Sequence, residues 1–255
     1  MPEAAWFDPV AFYLGPFPIR WYALAYVTGF IAAFMWAKRS YFPRHQVPLK
    51  LLDPFMNAMI ISVIVGGRLG HIVFYDMARA IDDPLWVFKV WQGGMSFHGA
   101  VIGLICGLWV FSSRHSLSFW LLSDFVSIVA PWGIFLGRLA NFVNGELVGR
   151  ITDVPWGVVF PMVDQFPRHP SQLYEAATEG MLLGLLMWFL QKKNLSQGLV
   201  TGVFLCLYAV IRFVMEYFRV PECPYGCYGH FDMGQILSIL MFILGSFILM
   251  CKRQD

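Results

Sequence analysis

Gly133 to Arg150 reads GIFLGRLANFVNGELVGR, and the rest of the chain is best read outward from it. It begins as the tail of an apolar run, Phe119 to Leu136, and then delivers Arg138, Asn141, Asn144, Glu146 and Arg150. A charge at the end of a membrane-depth segment costs several kcal/mol unless a partner or a water-filled cavity takes it. Arg138 and Asn141 stand three apart, so they share a face if the helix continues. Gly137, Gly145 and Gly149 allow close backbone approach around them. The stretch therefore predicts an anion-binding site near one membrane surface.

Composition agrees with a membrane reading. The 255 residues are 58% hydrophobic, 17% aromatic and 13% charged, against about 25% charged in soluble domains. Mean hydropathy is +0.61. These values predict an all-α polytopic membrane protein. A net charge of +2 without a Lys/Arg run argues against nucleic acid as a partner. The N-terminal MPEAAWFDPV is acidic, with no basic n-region and no small-residue cleavage site after it, so it does not read as a removable signal peptide.

Seven spans of bilayer length are expected, about Ile19–Ala37, Pro54–Tyr75, Ser96–Ser113, Phe119–Leu136, Tyr174–Leu190, Gly198–Tyr217 and Met233–Met250. An odd number puts the termini on opposite sides. Lys38, Lys50, Lys192, Lys193 and Lys252 all fall on one side, which the positive-inside bias makes cytoplasmic. The N-terminus and the long loops 76–95, 137–173 and 218–232 then face outward, forming a head over a single integral-membrane domain. The outer side also holds Arg20, Arg79, Arg138, Arg150, Arg168 and Arg219, and so many outer arginines ask for a functional reason.

Polar residues in the spans fall at helical spacing. Arg68, His71 and Tyr75 form one stripe, of which Arg68 and His71 read as interhelical polar glue, while Gly66 and Gly70 would let another helix approach. Gln172, Glu175 and Glu179 line one face of the fifth span, and Tyr208, Arg212 and Glu216 follow at i+4 steps in the sixth. Arg212 and Glu216 read either as a structural ion pair or as an arginine oriented by a carboxylate toward an anion. His98, after Gly93-Gly94 at an outer span end, is the most interesting titratable group, since a free imidazole titrates near neutral pH. His169 beside Arg168 reads as a loop-ordering residue.

Absences narrow the chemistry. There is no HExxH, aspartate-rich pair, Walker A loop or GxSxG elbow, so no metal or other cofactor is expected. Cys223 and Cys227 lie in the outer loop PECPYGCYGH, where a disulfide is permitted. Arginines and amides gathered near a histidine suit an anionic phospholipid headgroup, because Arg offers phosphate a two-pronged fork. Spacing alone leaves open whether that lipid is substrate, transported solute or annulus.

The motifs go further. GGMSFHG (93–99), GRLANFVNGELVGR (137–150) and RHPSQLYE (168–175) closely resemble the prolipoprotein diacylglyceryl transferase family of bacteria. So do RWYALAY (20–26), GGRLGHIVFYD (66–76), YAVIRFVMEYFR (208–219) and MGQILS (233–238), in order across nearly the whole chain. The resemblance implies a seven-span inner-membrane enzyme with a periplasmic active site; a monomer is the default expectation. The implied reaction moves an sn-1,2-diacylglyceryl group from phosphatidylglycerol to the lipobox cysteine in the signal peptide of a preprolipoprotein. A thioether forms and glycerol 1-phosphate leaves. On the family pattern Arg138 and Arg212 are the essential pair and His98 the base. Tyr22, Asn141, Glu146, Gly149, Tyr208 and Glu216 support them or contact lipid. Ala140 stands where many relatives have Gly, and Val220–Phe231 matches no family motif. The rival reading is a transporter or scrambler of anionic lipid, which should show paired broken helices in related halves; none is apparent.

Overall fold

The protein is described by a computed structural model covering residues 8–193, 195–220 and 232–252. Cys223, Cys227 and His230 lie outside the described residues. The chain divides into two compact units, Met1–Ala33 with Asp124–Asp255, and Phe34–Ser123.

The first unit opens on a hairpin, whose last two residues, Ile19 and Arg20, were expected to begin the first span. Strands β1 (Val10–Leu14) and β2 (Phe17–Arg20) pair antiparallel, with Ile19 opposite Phe12 and Arg20 opposite Val10. Pro18 pushes Phe17 into extended backbone, and Gly15, just before Pro16, turns the hairpin at φ +60°. Helix α1 (Trp21–Trp36) starts only once the prolines are passed, and runs on into a π-helical turn, Ala37–Tyr41, and α2 (Phe42–Arg44).

Unit two is built on α3 (Leu52–Tyr75) and α5 (Phe97–His115), with α4 (Met77–Asp82) and two 3₁₀ turns between them. The Gly66/Gly70 pair does admit a neighbouring helix, and the neighbour brings glycines of its own. A Cβ at Gly66 would sit 2.5 Å from the Gly99 carbonyl oxygen and 2.7 Å from Gly103 Cα. Two backbones thus meet where only hydrogens fit between them. Arg68 is not interhelical glue. Its buried guanidinium donates to the carbonyls of Trp86, Val87, Gly93 and Gly94 and stacks 4.1 Å from the Trp86 ring, so it holds the loop that leads to His98.

In the remainder of the chain, α6 (Phe119–Asn144) runs eight residues past the expected span end at Leu136. A two-residue ladder joins β3 (Val158–Val159) to β4 (Pro167–Arg168). The helix expected as the fifth span is composite: α7 (Ser171–Glu175), a π-helical segment Ala176–Leu182, and α8 (Leu183–Leu190). Then come α9 (Leu199–Met215), a 3₁₀ turn Glu216–Phe218, and α10 (Met233–Lys252). Asp232 and Gln235 cap α10 reciprocally, the Gln235 amide N–H donating to Asp232 at 2.9 Å. The fold is mostly helical, with the two small ladders as departures from the all-α expectation. Among the described residues, six helices are long and apolar enough to cross a membrane. The sixteen-residue α1 is shorter than these.

Asp124, buried in α6, accepts the backbone N–H of Gly198 at 2.7 Å and both the N–H and hydroxyl of Thr201, at 2.8 and 2.7 Å. It caps the positive end of α9 from a different helix, which explains a carboxylate in an apolar run. Asp124→Ala should lower stability by about 1–3 kcal/mol, because buried donors are left unmet. Thermal unfolding in detergent checks this, with Asp124→Asn falling between variant and parent.

Candidate active site

The extra two turns of α6 carry the site. Gly145, at φ +67°, ends the helix: its N–H reaches the Phe142 carbonyl, and the Glu146 N–H reaches back to Asn141. This closure needs a left-handed residue, which is why glycine stands there. It folds Glu146 back over the helix end. Glu146 then accepts from the Tyr22 hydroxyl at 2.9 Å and from the Asn144 amide at 3.4 Å, while Asn141 donates to the same Tyr22 oxygen. Gln172 fixes the Glu146 carbonyl at 2.6 Å. Three of the residues named from the motifs, Tyr22, Asn141 and Glu146, therefore form one hydrogen-bonded group.

A second group lies one turn back along α6. Gly180 sits where a Cβ would meet Phe135 Cα at 2.7 Å, and Gly184 packs against the Trp132 ring. That glycine seam presses the fifth span onto α6 beside Arg138 and explains how two fully buried carboxylates, Glu175 and Glu179, meet an arginine. Glu175 is the hub. Its Oε2 lies 2.9 Å from Arg138 Nε, and its Oε1 accepts from Arg212 at 2.8 Å and Arg219 at 3.0 Å. Arg212 also pairs with Glu216 at 2.6 Å, which favours a structural component in that i,i+4 pair. Among the described residues the cluster holds three arginines (138, 212, 219) and three carboxylates (175, 179, 216). If all six are charged, they sum to zero.

The cluster has an open side. Glu175 and Glu179 are fully buried, whereas Arg138 and Arg212 each keep 17% of the side chain exposed. The arginines differ in what they have left to give. Arg212 spends Nη1 and Nη2 on carboxylates. Arg138 is held at Nε, and its Nη1 and Nη2 donate to no acceptor among the described residues. Those two nitrogens carry four N–H donors in the planar fork that suits a phosphate. Tyr208 lies on the same stripe of α9, stacked on Phe204 with ring centroids 5.7 Å apart.

Gly149 has a framework role. A Cβ there would lie 2.4 Å from the His169 carbonyl oxygen and 2.7 Å from that of Phe218. Its N–H donates to His169, and the Arg168 guanidinium, forked on Asp164, donates to its carbonyl at 2.9 Å. The fork holds the Asp164 carboxyl below the usual carboxylate range. His169, packed on Phe218 and Tyr174, is a loop-ordering residue as its position suggested. His98 belongs to the other unit. It is the second residue of α5, exposed, just after the Ser96 side chain that accepts the Gly99 N–H at 3.3 Å. Sequence reasoning placed Glu175 and Glu179 on the right face and missed that Glu175 joins three arginines. The visible signal was Glu-x3-Glu-Gly-x3-Gly, two acids running into a small-residue seam.

Six helices of membrane-crossing length and apolarity, with a buried guanidinium–carboxylate cluster open on its arginine side, define a multi-pass membrane protein. Residues 9–251 match the prolipoprotein diacylglyceryl transferase family, and the chain belongs to that family. It is 43% identical over 254 residues to the phosphatidylglycerol–prolipoprotein diacylglyceryl transferase of Solidesulfovibrio magneticus, covering 98% of this chain and 96% of that one. The namesakes from Nitratidesulfovibrio vulgaris and Legionella pneumophila are each 42% identical, covering 95% and 96% of this chain and 93% and 97% of theirs.

Glu175→Ala should cost about 3–5 kcal/mol, since it strands buried arginines without their shared partner. A folded variant with unchanged unfolding temperature in detergent would show that Glu175 is not the hub.

Proposed function

We propose that the chain transfers the sn-1,2-diacylglyceryl group of phosphatidylglycerol to the lipobox cysteine of a preprolipoprotein, with Arg138 as the principal phosphate-binding group. The observation that carries the site assignment is the donor-rich end of Arg138, which keeps 17% of its side chain exposed at the open side of the cluster. In this reading the lipid phosphate lies on the Arg138 fork, and Arg212, held by Glu175 and Glu216, supplies a second fixed positive field. The Tyr22–Asn141–Glu146 group seats the glycerol headgroup, whose hydroxyls need acceptors and donors. Gly149 keeps the outer segment close, and Tyr208 lines the same face.

The cysteine thiol gives its proton to His98 as general base; a free thiol has a pKa of about 8.5, so a base raises the thiolate fraction. The thiolate sulfur attacks the glyceryl carbon bearing the phosphate ester. A C–S bond forms, the C–O bond breaks, and its electron pair stays on the phosphate oxygen. Glycerol 1-phosphate leaves as a dianion, met by guanidiniums already oriented for it. The membrane arrangement in this reading has seven spans, α1 with its helical continuation being the first. The N-terminus and active site face the periplasm of the inner membrane, and the C-terminus faces the cytoplasm.

Purified protein mixed with phosphatidylglycerol and a cysteine-containing lipobox peptide should give a diacylglyceryl mass shift on the peptide. Lipid flip across vesicles with no such shift would support a transporter instead. Arg138→Ala should lower kcat by roughly 10²–10³, the scale of losing one preorganised oxyanion donor; near-normal turnover in a folded variant sinks the assignment. His98→Gln should lower kcat by roughly 10²–10⁴, the scale of losing a general base. Parental turnover in a folded variant would remove His98 as the base.

A further inference from the structure

Glu179 is the member of the cluster that ordinary packing does not explain. It is 0% exposed, and neither carboxylate oxygen has a hydrogen-bond donor among the described residues. Buried carboxylates ordinarily accept hydrogen bonds, because leaving them unmet is costly. What faces Glu179 is charge at a distance: Arg138 Nη2 lies 3.6 Å from Oε2 and Arg212 Nη1 lies 3.6 Å from Oε1. Each oxygen thus addresses one arginine, beyond hydrogen-bond reach. The side chain sits in the π-helical segment Ala176–Leu182, an irregularity frequent at functional sites.

The position behind the arginines matters. An anion arriving from the open side meets Arg138 first and sees Glu179 beyond it. The carboxylate leaves the Arg138 terminal N–H groups unoccupied while subtracting from the attraction they exert. Coulomb energy scales with the charge of the visitor. A phosphodiester such as a phospholipid headgroup carries one negative charge, whereas a phosphomonoester carries close to two. The same carboxylate therefore repels the monoester about twice as strongly as the diester.

We propose that Glu179 is a positioning residue that sets the charge of the arginine cluster, so that Arg138 admits a phosphodiester monoanion and lets go of a phosphomonoester dianion. The proposal rests on the reading of Arg138 as the phosphate-binding group and goes beyond it by assigning product release to a different residue.

Glu179→Gln tests it, because the amide keeps the shape and removes the charge. The measurements are the KM for phosphatidylglycerol and the inhibition constant of added glycerol 1-phosphate. If the variant lowers KM by a factor f, the inhibition constant should fall by about f², for example about threefold and about tenfold. Glu179→Asp, which restores the charge, should keep both constants within about twofold of the parent. Equal shifts in the two constants, no shift in either, or weaker product inhibition overturns the proposal, since a purely structural role has no reason to separate monoester from diester. Should Glu179→Gln not accumulate as folded protein, Glu179→Asp decides alone: inhibition close to the parent supports a charge role, and a tenfold change overturns it. Arg138→Ala separates the two levels of the argument. If it binds phosphatidylglycerol like the parent, the site assignment fails. If it loses the lipid while Glu179→Gln leaves product inhibition untouched, only the role of Glu179 fails.

Discussion

One carboxylate, Glu175, lets the polar interior of this unit exist. Three guanidiniums packed within a helical unit would each be untenable alone, and a shared buried partner makes them mutually tolerable. The rest of the unit follows from the need to deliver that carboxylate. Gly180 and Gly184 bring the fifth span to backbone contact with α6, and the π-helical turn after Glu175 keeps Glu179 turned inward on the same side. Gly234 packs directly on the Glu216 carboxylate, where a Cβ would lie 2.8 Å from its carbon, so α10 closes the far side.

Polar order extends outward from that hub in two styles. Toward the helix end it is directional and built from uncharged donors, with Tyr22, Asn141, Asn144 and Gln172 all spent on Glu146 or its neighbours. At the hub it is ionic, with one side left open. A ligand with an anionic group joined to a hydroxylated one matches that division, the charge going to the arginines and the hydroxyls to the amide and phenol groups.

How much of this could be read in the chain depends on the range of the contacts. The helices were legible because apolar composition over some twenty residues is a local property, and the stripes 172/175/179 and 208/212/216 were legible because helical spacing is too. The first span was expected to begin at about Ile19, but Ile19 and Arg20 pair with Phe12 and Val10 in the hairpin and the helix begins at Trp21. Arg68 was misjudged for another reason: its partners are backbone carbonyls of a loop, and carbonyls leave no mark in a sequence. Glu175 as the common partner of Arg138, Arg212 and Arg219 was also hidden, since several acids lay on suitable faces and only packing selects among them. The motifs pointed to the residues; they did not point to who holds whom.

The spacing of the hub along the chain bears on how the protein is made. Glu175 and Arg212 are 37 residues apart, and Glu175 follows Arg138 by the same interval. The Tyr22 hydroxyl waits longer still, its partner Glu146 lying 124 residues downstream. At a synthesis rate of about 5–20 residues per second, 37 residues take roughly 2–7 s. A nascent α6 must therefore hold Arg138 without its counter-ion for seconds, and Glu175 must then wait as long again for Arg212. Helices with such deferred partners cannot be released singly into lipid at low cost. The insertion machinery, or water retained beside it, has to shelter them until α9 arrives, so this fold matures as a group of helices rather than one at a time.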